Sequence, residues 1–256
     1  MKRCTGFFRV ALGLLVPLLA AATTVDAGPA SPDADCKAKV ASLATKPTPH
    51  LNFKQYLEQR GPDDPDPTGH MQELIEFTKA NRRSALAYCA RQQPPLAPKA
   101  CSGGVPFCAL IVDRTVDQIV AKACNHGSAN PLFHGEIAAI IDFSTTLQSQ
   151  GVPFRKVAGH HDLYTTGESC AMCMGAIMWA GFHTLFFGSS IEHLNQYFPQ
   201  IMIRDHELSE LWRECQAAKN MVRTQIVGGV LQAKNDALFE EFGFQFCPAA
   251  AESVKP

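Results

Sequence analysis

A short β-rich stretch leads directly into a helical one in residues 161–181, HDLYTTGESCAMCMGAIMWAG. Residues 161–166 have the composition of a strand, and residues 170–181 are apolar on every side of a helix, which predicts that this helix is buried. Cys170 and Cys173 stand three residues apart at the start of the helix and therefore share one helical face. The segment predicts a strand–helix unit of an α/β protein.

Strands and helices alternate on both sides of this unit. The stretches 106–113 and 118–124 are β-rich and flank a polar turn, which predicts a hairpin. Further strands are predicted over residues 183–189 and 222–230, and helices over residues 51–59, 68–92, 134–148, 191–198, 207–215 and 232–243, the last with Gly243 as its C-cap. This order predicts a three-layer α/β/α domain around a mixed sheet of roughly five strands.

Three side chains have the types and spacing of zinc ligands. His134 opens one predicted helix, and Cys170 and Cys173 open another. A helix N-terminus lowers the pKa of a thiol, so both cysteines are suited to be thiolates. Two thiolates and one imidazole leave the fourth position of a tetrahedral Zn²⁺ to water, which is typical of a catalytic site. We therefore predict one zinc ion per chain, with a bound water, held by these three residues.

Glu136 follows His134 by two residues and is a poor fourth ligand in this arrangement. Zinc lowers the pKa of a bound water to about 7, and a nearby carboxylate can then take its proton. Hydrolytic deamination needs these parts: water adds to an amidine-like ring carbon, the ring nitrogen gains a proton, and the amine gains one as it leaves. Glu136 is therefore the predicted catalytic proton carrier.

The combined motif, HGE followed by SCAMC, resembles that of the cytidine/deoxycytidylate-type zinc deaminases. The likeness covers roughly residues 106–243. The stretches LYTTGESCAMCMGAI and GAIMWAG are similar to those of cytosine and guanine deaminases, and TQIVGGVLQAKNDALFEEF is similar to that of tRNA adenosine deaminases. The resemblance implies a cytidine deaminase-like fold, a hydrolase acting on C–N bonds of cyclic amidines, and a homodimer, because members of the family are often dimers or larger.

The resemblance also implies three substrate-binding residues. Asn125, at the end of the second hairpin strand, corresponds to an asparagine that holds the base, and Phe107 corresponds to a position that touches it. Ser169 stands where the family has a proline whose carbonyl receives the amine. Serine keeps that carbonyl but lacks the fixed φ of proline, which leaves the rigidity of the turn in question.

The choice of substrate depends on a few pocket side chains. The resemblance to guanine and cytosine deaminases implies a small nucleobase or nucleoside of one of these types. Lys and Arg number 23 against 24 Asp and Glu, so the chain has no basic excess of the kind that nucleic-acid binding requires. No nucleic-acid polymer is therefore expected as a partner. The 46% hydrophobic and 18% charged residues also exclude a chain that is disordered throughout.

Two other functions fit part of this pattern. A C-x-x-C motif that opens a helix after a strand is also typical of thioredoxin-like redox proteins, but that interpretation leaves His134 and Glu136 unexplained. A relative that binds zinc and a ligand without turnover is the second alternative. The presence of Glu136 argues against it, because an inactive relative would be expected to have lost the proton carrier.

The N-terminus predicts secretion. Residues 1–27 combine a basic start, an apolar run over residues 10–22 and small residues before Gly28, which is the pattern of a cleaved signal peptide. A proline-rich extension over residues 28–69, a deaminase domain over residues 70–247 and a tail over residues 248–256 are predicted to follow. The protein is expected to be secreted or periplasmic, with no membrane association after cleavage.

Seven cysteines of the predicted mature chain are not zinc ligands: Cys36, Cys89, Cys101, Cys108, Cys124, Cys215 and Cys247. Cys108 and Cys124 are equidistant from the hairpin turn and can face each other across the two strands. Either they form a disulfide or they are two buried thiols, and the second interpretation is slightly favoured. Cys89 and Cys101 are a further candidate pair.

Overall fold

A computed structural model describes most of the region in which the sequence predicts the deaminase domain. Its described residues are 51–91, 105–127, 130–198, 200, 203–215 and 224–246. The predicted signal segment, the extension up to residue 50 and the predicted tail lie outside them. The domain boundaries therefore stay a prediction, although residues 51–69 of the predicted extension are described with the sheet.

The described residues form a six-stranded mixed sheet with the strand order β1-β6-β5-β4-β2-β3. Strands β2 and β3 form an antiparallel hairpin at one edge, β2 is antiparallel to β4, and β4, β5, β6 and β1 run parallel. The strands are β1 Leu51–Asn52, β2 Cys108–Asp113, β3 Gln118–Cys124, β4 His161–Gly167, β5 Thr184–Ser189 and β6 Gln225–Gly228. The predicted mixed sheet is confirmed, and the two-residue β1 adds a sixth strand to it.

Helices cover both faces of the sheet. They are α1 Phe53–Gln59, α2 Thr68–Ala90, α3 Gly135–Ser149, α4 Phe154–Val157, α5 Ala171–Ala180, α6 Ile191–Leu194, α7 Asp205–Cys215 and α8 Gln232–Phe246. The predicted end of the last helix at Gly243 is wrong, because α8 continues to Phe246; a glycine lowers helix propensity but does not block the helix. Within the described segments, none of the helices is both long and apolar enough to cross a membrane.

Two hydrophobic clusters fill the space between the sheet and the helices on its two faces. The first packs α3 and α5 against one face, and the second packs α1 and α2 against the other. Side chains of a strand alternate between faces, so β2 contributes Ala109 and Ile111 to the first cluster and Leu110 and Val112 to the second. All four are at most 2% exposed, which makes β2 a central strand of the predicted α/β/α sandwich.

Helix α5 is buried on one side only, which corrects the prediction that it is buried all round. Met174 and Ile177 are fully buried in the first cluster, whereas Trp179 on the outer side is 57% exposed. Apolar composition on every side did not distinguish the face that covers the sheet from the outer one. The helix ends at Gly181, whose φ of 78° lies in the left-handed region that glycine adopts without steric cost.

Cys108 and Cys124 form a disulfide across the open end of the hairpin. They are directly opposed in the register of β2 and β3, and both are buried. The favoured interpretation as two free thiols is therefore wrong: at this register the two sulfurs can meet between the strands. The candidate pair of Cys89 and Cys101 lies outside the described side chains.

This disulfide should stabilise the fold by closing a loop in the unfolded chain. Its sequence separation is 16 residues, for which loop closure predicts a contribution of about 3 kcal/mol. We expect the double variant Cys108→Ala/Cys124→Ala to lose about that much free energy of unfolding in urea. The difference between wild type and variant should disappear in dithiothreitol. Equal stability under non-reducing conditions would contradict the prediction.

Candidate active site

Two helix N-termini hold the predicted zinc ligands. His134 is the N-cap of α3 and Cys170 is the N-cap of α5, while Cys173 lies one turn inside α5. Neither N-cap side chain makes a capping hydrogen bond to its own helix, so both are directed elsewhere. Strand β4 ends three residues before Cys170, so the predicted strand–helix unit carries two of the three groups.

The three side chains converge on one point, and we call them the ligand cluster. His134 Nδ1 lies 3.6 Å from Cys170 Sγ and 3.5 Å from Cys173 Sγ. The two sulfurs are 3.6 Å apart, far longer than the roughly 2.05 Å of a disulfide bond. The sequence prediction that these groups come together therefore agrees with the geometry, although their role as metal ligands stays a prediction.

The spacing of the ligand cluster fits a zinc ion. Tetrahedral zinc with Zn–S of about 2.3 Å and Zn–N of about 2.05 Å separates two sulfurs by about 3.8 Å and sulfur from nitrogen by about 3.6 Å. The observed separations of 3.6 Å and of 3.5 and 3.6 Å lie within about 0.2 Å of these values. The donor set also matches, because two thiolates and one imidazole are ordinary zinc ligands.

Protons are strongly redistributed within the ligand cluster. Hydrogen bonds from the Cys173 thiol and from His134 lower the pKa of Cys170 to about 4, against the effect of burial. The same contact with Cys170, together with burial, raises the pKa of Cys173. The hydrogen bond to the Cys170 thiolate raises the pKa of His134. A divalent cation bound by these groups would displace their protons.

Glu136 lies in the first turn of α3 and is 5% exposed. Burial and the negative charge of Cys170 raise the pKa of its carboxyl group, while its backbone N–H, His134 and the Ser169 hydroxyl act in the opposite direction. A raised pKa suits a group that must both accept and donate a proton near neutral pH. The sequence placed Glu136 correctly beside the ligand cluster, and its catalytic role stays a prediction.

Gly135 allows α3 to lie directly against the β2 backbone. A Cβ atom at this position would approach Phe107 O to 2.7 Å and Cys108 Cα to 2.9 Å, distances at which backbone would have to move. The glycine between His134 and Glu136 therefore lets the start of α3 contact the start of β2. This contact places the ligand cluster next to Phe107.

Phe107 and Asn125 lie side by side at the open end of the hairpin. Asn125 N donates to Phe107 O at 2.8 Å, and Asn125 Oδ1 accepts a hydrogen bond of 2.8 Å from Gly127 N. The Phe107 ring packs against Phe239 and Phe198, with centroids 5.0 and 5.4 Å away. The structure therefore joins the two predicted substrate-binding residues at the start of α3, and their contact with a base stays a prediction.

Sequence reasoning missed Phe198 and Phe239, which flank Phe107. They lie after α6 and within α8, about 90 and 130 positions away along the chain, so no local pattern connects them with the hairpin. A single sequence gives no signal for this aromatic group.

Ser169 lies in the turn between β4 and α5, where its hydroxyl contacts the proton carrier. Ser169 Oγ is 3.0 Å from Glu136 Oε1, and Ser169 is fully buried. The turn is fixed by Glu168, whose N–H donates to Ser189 O and whose carboxylate accepts from Ile191 N. The neighbour of Ser169 in this turn is thus anchored by hydrogen bonds, while the effect of the missing proline on the rigidity of the turn stays a question.

A second cluster of acidic groups supports this turn. Glu168 Oε1 accepts a hydrogen bond of 2.6 Å from Arg204 Nε, and Asp205 is fully buried beside them. Burial raises the pKa of Asp205 to about 7. Glu168, Asp205 and His206 have oxygen and nitrogen atoms within 4.8 Å of one another, but the Arg204 guanidinium already pairs with Glu168. We interpret this cluster as an anchor of the turn that sequence reasoning missed.

A cavity of about 350 Å³ lies at the carboxyl ends of β1, β5 and β6. Lys54 is the charged residue among those that line it, and the lining includes no histidine, cysteine or carboxylate. The cavity therefore lacks groups for the predicted deamination. The residues predicted to carry out that reaction lie elsewhere, at the starts of the helices that follow β3 and β4.

Residues 84–189 match the family described as the cytidine and deoxycytidylate deaminase zinc-binding region. The matched range contains the ligand cluster, Glu136 and the other predicted site residues. The family that the motif resembled is therefore confirmed.

Two curated relatives illustrate the sequence similarity. A tRNA-specific adenosine deaminase of Rickettsia bellii is 36% identical over 88 residues, which are 34% of this chain and 57% of that protein. A protein of Schizosaccharomyces pombe with the name "Probable cytosine deaminase" is 33% identical over 92 residues, which are 36% of this chain and 52% of that protein. The chain thus spans little more than half the length of these relatives.

Solved structures share the fold. A structure described as guanine deaminase from Nitrosomonas europaea covers 77% of this chain and 97% of its own, with a TM-score of 0.50 and 18% identity. A mutant in complex with 8-azaguanine gives a TM-score of 0.52 at 18% identity, with the same coverage. The cytidine deaminase-like fold is therefore confirmed.

Proposed function

We propose that this protein is a zinc-dependent hydrolytic deaminase that releases ammonia from a small nucleobase or nucleoside. The proposal rests on one observation: the ligand cluster and Glu136 lie together at the N-termini of α3 and α5. The match to a zinc-binding deaminase family supports it. The enzyme class follows: a hydrolase acting on C–N bonds of cyclic amidines.

His134, Cys170 and Cys173 would hold the zinc ion, which when bound supplies an acidic water as the nucleophile. Glu136 would accept one proton from the attacking water and pass it to the ring nitrogen of the substrate. It then carries the remaining hydroxyl proton to the amine, which leaves as ammonia. Burial of Glu136 keeps bulk water from taking part in these transfers.

The two alternative functions are not favoured by the same geometry. A thioredoxin-like redox role would need Cys170 and Cys173 to cycle through a disulfide, yet both sulfurs contact His134 Nδ1. A zinc protein without turnover would have no use for a carboxylate buried against the ligand cluster, because burial of an ionisable group costs free energy. Glu136 therefore supports catalysis.

We place the substrate among free bases and nucleosides, with guanine and cytosine favoured. One solved neighbour is described as a guanine deaminase, and curated relatives carry the names of tRNA adenosine and cytosine deaminases. The near-zero net charge of -1 argues against a long polyanionic partner such as tRNA. The partly exposed Phe107 and Phe198 rings, backed by the buried Phe239 ring, offer apolar faces on which a flat base can pack. The homodimer stays a prediction.

A panel of substrates tests the function. Ammonia release from guanine, cytosine, adenine, their nucleosides and a tRNA anticodon stem-loop should be measured with the zinc-loaded protein. We expect turnover of at least one base or nucleoside, with the Glu136→Ala protein as the blank. Turnover of the stem-loop alone would overturn the substrate class, and ammonia from none of them would overturn the function.

We further propose that the protein works in an oxidising compartment, outside the cell or in the periplasm. The signal-peptide pattern of residues 1–27 motivates this localisation. The buried disulfide between Cys108 and Cys124 supports it, because such bonds persist in secreted and periplasmic proteins.

A further inference from the structure

The Ser169 hydroxyl and the Glu136 carboxylate form a buried pair that joins the two halves of the candidate site. Their oxygens are 3.0 Å apart, and the two side chains are 0% and 5% exposed. An ionised carboxylate only accepts hydrogen bonds, so the hydroxyl is the donor. The pair connects the turn before α5, which carries the two cysteines, with the start of α3, which carries His134.

The position of the Ser169 hydroxyl is set by the backbone around it. Glu168 is tied to β5 through Ser189 O, to the N-terminus of α6 through Ile191 N, and to Arg204. On the other side Cys170 is the N-cap of α5. A side chain with one rotatable bond between two such fixed neighbours presents its oxygen at a defined point.

Glu136 needs such a support because its terminal torsion is soft. The last χ angle of glutamate is broad, so a carboxylate without partners samples many orientations. The Ser169 hydroxyl holds Oε1 through a hydrogen bond of 3.0 Å. With Oε1 held, the plane of the carboxylate is fixed relative to the ligand cluster.

We propose that Ser169 is a positioning residue whose hydroxyl holds the Glu136 carboxylate in the orientation for proton transfer. The inference rests on the proposed deaminase function. It differs from the role that the family resemblance implied, in which the backbone carbonyl of residue 169 acts on the leaving amine. A proline, which the family pattern has here, offers no hydroxyl, so the support is a feature of this chain.

The kinetic test compares Ser169→Ala with a matched control, Ser189→Ala. Ser189 is also fully buried and donates to a carboxylate, Asp236, but does not contact Glu136. Loss of a hydrogen bond to a charged group predicts that kcat of Ser169→Ala falls about 10- to 100-fold, with KM and zinc content unchanged. Ser189→Ala should keep kcat within about twofold, because it leaves the hydrogen bond between Ser169 and Glu136 in place.

Three outcomes would overturn the proposal: wild-type kcat in Ser169→Ala, an equal fall in both variants, or a loss of zinc that accounts for the fall. If the wild-type protein deaminates nothing, the proposed function fails, whereas wild-type turnover with an unaffected Ser169→Ala protein refutes the positioning role alone.

A double-mutant cycle gives a readout that does not depend on turnover. The urea midpoint of the zinc-loaded protein is measured for wild type, Ser169→Ala, Glu136→Ala and the double variant. If the two side chains interact, Ser169→Ala shifts the midpoint by less than half as much in the Glu136→Ala background as in wild type. Equal shifts in both backgrounds would show that the pair is not coupled and would overturn the proposal.

Discussion

Glu136→Gln is expected to lower kcat about 10²- to 10⁴-fold while the protein keeps one zinc ion per chain. The amide has the volume of the carboxyl group and can still accept the Ser169 hydrogen bond, but it cannot take a proton from water. Glu136 is not a member of the ligand cluster, so its replacement leaves three zinc donors in place. Steady-state ammonia release and zinc analysis of the same preparation check both parts.

The control for this change is Gln148→Glu or another exposed position of the same helix, at which turnover should stay at the wild-type level. Because Glu136 is buried, its neutral replacement should also remove a desolvated charge and leave the fold intact or slightly more stable. Normal turnover in Glu136→Gln would remove Glu136 from the mechanism. A loss of zinc together with activity would mean that the carboxylate supports metal binding instead.

Cys170→Ser is expected to abolish stoichiometric zinc binding and, with it, turnover. Loss of a residue that merely supports a ligand lowers metal affinity about 10- to 100-fold, so loss of a ligand should cost more than about 100-fold. Serine is a good N-cap, so the start of α5 should not suffer from the exchange. Zinc per chain after dialysis and the thermal midpoint with and without added zinc measure the effect.

Met172→Ser is the matched control for the cysteine variant. Met172 lies between the two cysteines on α5 and is 36% exposed, so its replacement should leave zinc content and activity unchanged. Added zinc should raise the thermal midpoint of wild type and of Met172→Ser but not that of Cys170→Ser. A Cys170→Ser protein that still binds one zinc ion tightly would refute the assigned ligand set.

The sequence predicted the elements that have a periodic pattern or sharp boundaries. The hairpin of β2 and β3, the β4–α5 unit and the long helix α2 follow from β-rich stretches, helical spacing and prolines. Strand β1 has only two residues, too few for any alternation, and forms because β6 provides a parallel partner. The exposed side of α5 depends on tertiary packing, which its apolar composition does not reveal. Helix α8 continues past Gly243 because a glycine lowers helix propensity without ending the helix.

The ligand cluster was predictable because metal binding restricts residue types and spacing. The contacts around that cluster could not be predicted, because their partners are far apart in the chain. Ser169 and Glu136 are 33 positions apart, and Phe107 and Phe239 are still further apart. Such contacts depend on the angle at which helices meet the sheet, which a single sequence does not encode in a local pattern. The disulfide lies between these cases, because the hairpin register allowed it without requiring it.

The short strand β1 has a consequence for any shortened version of this protein. It pairs with Val227 and Gly228 of β6 and so covers the outer margin of the sheet. A chain trimmed to residues 84–189, the region that the family match outlines, would lack β1, β6 and α8 and would expose the backbone amides of β5 to solvent. Unpaired strand edges can pair with other chains, so such a fragment would be prone to aggregate even though it contains every residue of the predicted catalytic site.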